Sequence, residues 1–373
     1  MFDGHKWIRT GSTLAVASAF SLLLVAQTLW AQEKKTPALA QLIKGAKKET
    51  TLRGMWSSRS LGGSKGFSHI VAAMNKKYGL NIKPEFTPGP SMTRMIGKLT
   101  RELKAGQPAS TDVYWGNSGG MLRSSKVGLM RSMNWLAYLS RPMLKEKGFN
   151  PVAPKGMGLA SASTLVGVMY NSDRVKGKDI PRTLADTLKP KWKGKIASTP
   201  YAAGMREFAM PDLLGKEAMI EFTKKLSKQI SGLIRCGDDQ KILSGEFLML
   251  VLTCGDQYVN QAKRTGTPLG YSVLSDATVS HTRYGGVPKN SQAPNAAALF
   301  VVYLHSPEGQ KWMWEVNGFD FHLYPKSHVR TVLDGARRKG AKVVINSPQW
   351  LGKNKTYRKT RKELQKILRR KAK

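Results

Sequence analysis

Side chains able to hold a small charged ligand recur in this sequence wherever an apolar run gives way to a helix start. Ser57, Ser58 and Arg59 follow residues 51–56, and Ser91 follows a Thr-Pro-Gly-Pro turn. Asn117 and Ser118 open a Gly-Gly step, and Thr199 and Tyr201 follow residues 195–198. Ligands of open α/β sheets bind beyond the carboxyl ends of strands. Helix starts there carry partial positive charge and unpaired N–H groups, so this set favours an anion. Arg59 adds a planar, permanently charged fork suited to carboxylate, phosphate or phosphonate. The serines and the asparagine fit turn and cap roles equally well.

Cys236 and Cys254 are the two cysteines of the chain, eighteen positions apart. In an oxidising compartment they would close a disulfide loop worth about 3 kcal/mol. Reduced, they would act as small core residues. A third arrangement makes Cys254 a nucleophile beside Asp256, with His281 the histidine close by in sequence, and would make the chain an enzyme. Disulfide and nucleophile exclude each other. The sequence calls for no cofactor, and no nominated strand end carries a His or Glu cluster for a metal.

These positions need a scaffold of alternating strands and helices. The spacing predicts strands over residues 51–56, 81–86, 112–115, 165–170, 195–198, 233–236, 247–254 and 271–274, the last ahead of Gly285-Gly286. Helices are expected over 67–78, 92–104, 215–226, 295–304 and 307–316, with short ones from Asp238 or Asp239 to Leu243 and from Asp256 to Lys263. Gly79 supplies a stop, and Ser91 and Ser306 supply N-caps. Such a βα rhythm predicts a largely parallel sheet covered by helices.

The chain ends frame that body. Lys6 and Arg9 precede an uncharged stretch over residues 12–30, with Ala31 at a small-residue exit. This is the pattern of a secretory signal peptide over residues 1–31, cleaved near Ala31. An uncleaved anchor is the competing reading, since the stretch could just span a bilayer. Cleavage leaves about 340 residues, a length that suits two domains. No cysteine stands near the cleavage point to carry a lipid. The formal net charge of +37 implies a strong field for anions, acidic partners or anionic surfaces. Nucleic acid is the usual partner at such charge, but an exported chain rarely meets it. Residues 353–373 are dense in Lys and Arg, with Leu364, Ile367 and Leu368 as a narrow apolar stripe. The stripe implies a docked helix with a solvated basic face; the charge alone would fit electrostatic contact with an anionic envelope. A surface-adhesion protein working through that face is a further class to separate by salt-sensitive vesicle binding.

The stretch 165–198, LVGVMYNSDRVKGKDIPRTLADTLKPKWKGKIAS, carries Tyr170-Asn171, Pro181-Arg182-Thr183 and a Pro-Lys-Trp-Lys-Gly-Lys-Ile run. Gly245-Glu246, Pro294-Asn295-Ala296-Ala297, residues 306–310 and Ser-Pro-Gln-Trp-Leu at 347–351 follow in order. This ordered set resembles bacterial extracellular solute-binding proteins of ABC importers, of the ferric-ion-binding kind. The resemblance implies an α/β, two-lobed type II periplasmic binding fold with hinge strands. Lobe 1 would take 50–165 and 275–345, lobe 2 would take 166–274, and 346–373 would be a basic C-terminal tail. It further implies a monomer in the periplasm that captures a small solute and serves an inner-membrane ABC permease, without catalysis. The same two-lobed architecture hosts a few transferases, the enzyme class that a Cys254 nucleophile would then imply. Iron-binding members of that family resemble one another in a pair of adjacent tyrosines. Here Tyr201 has no tyrosine neighbour in sequence. The expected cargo is therefore an anionic or zwitterionic solute, with ferric iron as the alternative.

Overall fold

The computed structural model describes residues 35–369. Its strands are β1 (Thr51–Trp56), β2 (Lys83–Pro88), β3 (Tyr114–Asn117), β4 (Leu159–Leu165), β5 (Val168–Asn171), β6 (Ile196–Ser198), β7 (Ile230–Leu233), β8 (Met249–Val251), β9 (Leu269–Ser272), β10 (Thr278–Gly286) and β11 (Val343–Asn346). Its helices are α1 (Pro37–Ala46), α2 (Gly63–Tyr78), α3 (Met92–Lys104), α4 (Ser118–Lys126), α5 (Met205–Phe208), α6 (Lys216–Gln229), α7 (Gln240–Leu243), α8 (Gln257–Lys263), α9 (Pro294–Tyr303), α10 (Pro307–Asn317), α11 (His328–Arg338), α12 (Pro348–Lys353) and α13 (Tyr357–Arg369). The expected export segment, residues 1–31, lies outside the described residues.

Local chemistry sets many of these boundaries. β1 alternates half-buried and buried positions, turning Leu52, Gly54 and Trp56 inward. Trp56 then meets Phe67 of α2 edge-on at 5.1 Å between ring centroids. α2 ends at Gly79, whose left-handed backbone lets its N–H reach the Asn75 carbonyl. Ser306 caps α10 by accepting from the Gly309 N–H. Ser91 occupies the N-cap position of α3, but its side chain makes no cap hydrogen bond.

The sheets are mixed, which corrects the expectation of a largely parallel one. β1 pairs with β2, β10 with β11, and β6 with both β7 and β8, all parallel. β10 runs antiparallel to β3 and β4, as β5 does to β8 and β9. Besides the β1-β2 pair, one sheet has β10 at its centre with β3, β4 and β11, and another has the order β7-β6-β8-β5-β9. The chain passes from the β10 sheet to the five-stranded one between Leu165 and Val168, and returns between Ser272 and Thr278. A hydrogen bond from the Val166 N–H to the Val279 carbonyl ties the two passages together.

The strand expected at 271–274 lies at 269–272 as β9 and is not the last, since β10 and β11 follow it. All nine residues of β10 are buried. Its middle reads Ser-His-Thr-Arg, so no apolar run marks a central strand in the sequence. Two neighbouring expectations shift as well. Residues 230–233 rather than 233–236 form β7, and only Met249–Val251 of 247–254 is strand.

The basic tail is a docked helix. Tyr357, Thr360, Leu364 and Leu368 form one buried face of α13. Tyr357, Leu364 and Leu368 join the apolar cluster that holds Met219, Phe222 and Leu226 of α6.

Candidate functional site

Strand β10 presents His281 and Arg283 on one face, two residues apart. Opposite Arg283 in the antiparallel register stands Asn117 of β3. On the β4 side the pairing shifts between Arg283 and Tyr284. Such irregularities re-aim a side chain at the edge of a site. Arg283 is 8% exposed, and its guanidinium makes no hydrogen bond or ion pair among the described residues; its Nε is fully enclosed. A buried guanidinium without a carboxylate is costly, and it favours any anion that can reach it.

The surroundings are phenols and further arginines. Burial draws the Arg283 pKa below the ordinary arginine value; Tyr258 opposes this, Arg206 adds to it, and Tyr114 and Tyr201 oppose it again. Burial likewise raises the Tyr258 phenol against the pull of Arg283 and Arg59. It raises Tyr201 against the Cys236 N–H bond and the charges of Arg206 and Arg235. Both phenols therefore keep their protons and can donate to an anion. The Tyr201 hydroxyl accepts from the Cys236 N–H at 2.9 Å, so its own hydrogen remains to be given. The Cys254 sulfur lies 3.7 Å from it.

A disulfide between Cys236 and Cys254 holds this edge of the site, with Cα atoms 5.8 Å apart. Bonded in this way, Cys254 offers no thiolate, and the nucleophile reading loses its nucleophile. The Cys254 carbonyl accepts from Thr164 of β4 at 3.3 Å and lies 2.9 Å from His281 Nδ1 of β10. The bridge is thus tied to the strand that carries Arg283.

Behind it lies a compensated charge cluster. Glu207 is fully buried. It accepts from Arg206 Nε at 3.0 Å, Asn346 Nδ2 at 2.8 Å and the Tyr357 hydroxyl at 2.6 Å. His281 Nε2 lies 3.1 Å from the same carboxylate. Burial alone would raise the Glu207 pKa, but Arg206 and His281 outweigh it and hold the carboxyl well below the usual range. Arg206 is thereby occupied, whereas Arg283 is not.

Of the residues nominated from sequence, three come together here. Arg59 donates to Asp239, ahead of α7, and lies over the Tyr258 ring at 5.4 Å. Asn117 faces Arg283 across the sheet and uses its Oδ1 to accept from the Gly120 N–H, leaving its amide NH₂ uncommitted. Tyr201 completes the trio. Three others spend their polar atoms on the fold. Ser118 Oγ donates to the Asn346 carbonyl at 2.7 Å and meets Thr282. Thr199 Oγ1 accepts from the Ala203 N–H. Ser57 Oγ accepts weakly from the Arg59 N–H at 3.4 Å. Ser58 and Ser91 are exposed, and nothing among the described residues ties either to Arg283. Arg283, Tyr258, Arg235 and Asp239 were missed. The available signal was a lone arginine inside a β-branched and aromatic run that ends in Gly-Gly.

Comparison with known proteins gives a consistent set. The bacterial extracellular solute-binding protein family matches residues 69–320, more than half of the chain. The Fe(3+)-binding periplasmic protein of Serratia marcescens is 25% identical over 185 residues, 47% of this chain and 54% of that one. The chain therefore spans about half the length of that relative. The major ferric iron-binding protein of Neisseria gonorrhoeae is 22% identical over 266 residues, 69% of this chain and 77% of its own. Among solved structures, an ABC transporter substrate-binding protein from Agrobacterium tumefaciens superimposes with a TM-score of 0.67 at 15% identity, over 88% of this chain and 97% of that one. Iron-bound HitA from Pseudomonas aeruginosa gives 0.63 at 17% identity, over 84% and 99%. At such identities the structures share the fold alone, that of the type II periplasmic binding proteins. The chain belongs to the bacterial extracellular solute-binding protein family.

Proposed function

We propose that this chain captures a small anion at Arg283 and delivers it to the permease of an ABC importer. The observation that carries the reading is a buried guanidinium without a protein partner, faced by two protonated phenols and an uncommitted amide. All of these are donors or positive charges, so the complementary ligand is an acceptor such as a carboxylate, phosphate or phosphonate. Residues 50–165 and 275–345 act as one lobe and 166–274 as the other. The passages at 166–170 and 271–276 serve as the hinge. Arg59 and Asp239 meet between the lobes and cover the ligand. The chain works as a monomer in the periplasm after cleavage near Ala31, and binds without transforming its ligand. A net charge of +37 draws anions toward the cleft.

Ferric iron is the second reading. Two relatives carry that ligand in their names, and Tyr201 and Tyr258 lie within electrostatic reach of each other. Against it, burial raises both phenols, and hard ferric iron wants phenolates. No group of three His, Cys, Asp or Glu suited to a metal occurs among the described residues. Arg283 and Arg59 also repel a free cation.

Thermal-shift screening separates the two. A ligand that binds only the native state raises the melting temperature as its concentration passes its dissociation constant. Phosphate, phosphonates and carboxylates are expected to do so without iron. A shift produced by ferric iron alone contradicts the anion reading, and no shift from any solute contradicts transport itself.

A further inference from the structure

The tail helix carries a second set of charges unrelated to the cleft. Its buried residues, Tyr357, Thr360, Leu364 and Leu368, recur at helical spacing and occupy one side of α13. Arg358, Lys359, Lys362, Lys366 and Arg369 are all exposed. None of these five makes an ion pair among the described residues. The one acid of the helix, Glu363, is paired with Lys216 at 3.0 Å. Thirteen residues at 1.5 Å each make this a row of cations about 20 Å long.

From this arrangement we infer that α13 is a docking surface for anionic phospholipid, holding the protein at the membrane face by charge alone. The apolar stripe is already buried against α6, so the helix has nothing to insert into acyl chains. The helix is docked through its buried face, and the five exposed cations lie on the opposite side, where they can meet a sheet of headgroups together. Single-stranded nucleic acid fits less well, because the aromatic ring of the helix, Tyr357, is buried and faces Trp350 at 6.0 Å. No stacking platform accompanies the charge. The inference is independent of what occupies the Arg283 site.

The test is co-sedimentation of the purified chain with vesicles of phosphatidylglycerol mixed with phosphatidylcholine, against pure phosphatidylcholine, across a salt series. The tail variant replaces Arg358, Lys359, Lys362 and Lys366 with Gln, which retains helix propensity. A control replaces four exposed lysines elsewhere, Lys47, Lys48, Lys104 and Lys147, and so removes the same net charge. Each cation near such a surface contributes roughly fivefold to partitioning, so the tail variant should bind on the order of several-hundredfold more weakly. The control should change by only about severalfold, through the smaller net charge. Circular dichroism melting of both variants checks that each is folded. Equal losses in the two variants overturn the inference, as does a parent chain that ignores anionic vesicles. Tighter tail-dependent binding to single-stranded DNA than to vesicles at equal phosphate concentration overturns the choice of lipid.

Discussion

Replacing Arg283 with Met separates a ligand-binding arginine from a structural one, because the two roles predict opposite signs. Met keeps an unbranched, uncharged stem, so the change removes a buried guanidinium that makes no ion pair with any acid among the described residues. Truncating one member of a buried pair usually costs about 3–5 kcal/mol of stability, because the other charge is stranded. Here no protein charge is stranded, so the ligand-free melting temperature should hold or rise. The ligand side is different. An arginine that grips an anion through two charge-assisted bonds contributes about 2–5 kcal/mol, equivalent to roughly 30- to several-thousand-fold in affinity. Arg283→Lys keeps the charge but loses the fork, and should fall between the parent and the Met variant. Calorimetric titration with the best anion from the screen measures affinity, and urea unfolding measures stability. Loss of stability with unchanged anion affinity would refute the assignment.

Other perturbations test the supporting structure. Replacing Cys236 and Cys254 together with Ala should lower stability by about 3 kcal/mol, from a loop of eighteen residues. It should also weaken anion binding by loosening Tyr201; unfolding curves with and without reductant check the first effect. Leu364→Ala empties a fully buried position and should cost about 3 kcal/mol, whereas a loosely attached tail would show almost nothing on denaturation. His305 and His322 are buried and pulled down to about 3, first by burial and then by neighbouring arginines. The unfolded chain therefore binds more protons below the ordinary histidine value of 6.5, and stability falls as pH falls from there toward 3. In the interior of that window each histidine contributes about 1.4 kcal/mol per pH unit. His305→Asn should remove one such share of the slope between about pH 5 and 6. An unchanged slope on urea titration would show that His305 is not the buried neutral group described.

Short-range patterns carried much of the fold into the sequence. β1 and α3 were bounded as observed because an alternating strand and an amphipathic helix are both decided by neighbours within a few residues. The Gly79 stop, the Ser306 cap and the start of α8 after Asp256 are equally local. β10 was not legible, because its polar residues are tolerable only through distant partners. Thr282 Oγ1 donates to the Asn346 carbonyl, and His281 stands against the Cys254 carbonyl. Missing that strand meant missing Arg283. The strand-end rule nominated Asn117 and Tyr201, which the fold brings beside Arg283, and equally Ser118 and Thr199, whose hydroxyls serve the fold. A hydroxyl turned into the fold and one turned toward a ligand look alike in sequence, and the hydrogen-bond partner decides between them.

The central claim is that Arg283 holds an anion, and native mass spectrometry of the freshly purified protein tests it most directly. The parent chain should carry an adduct with the mass of a small oxyanion or organic acid, and the Arg283→Met chain should carry none. Ferric iron as the sole adduct, retained by the Met variant, would contradict the account.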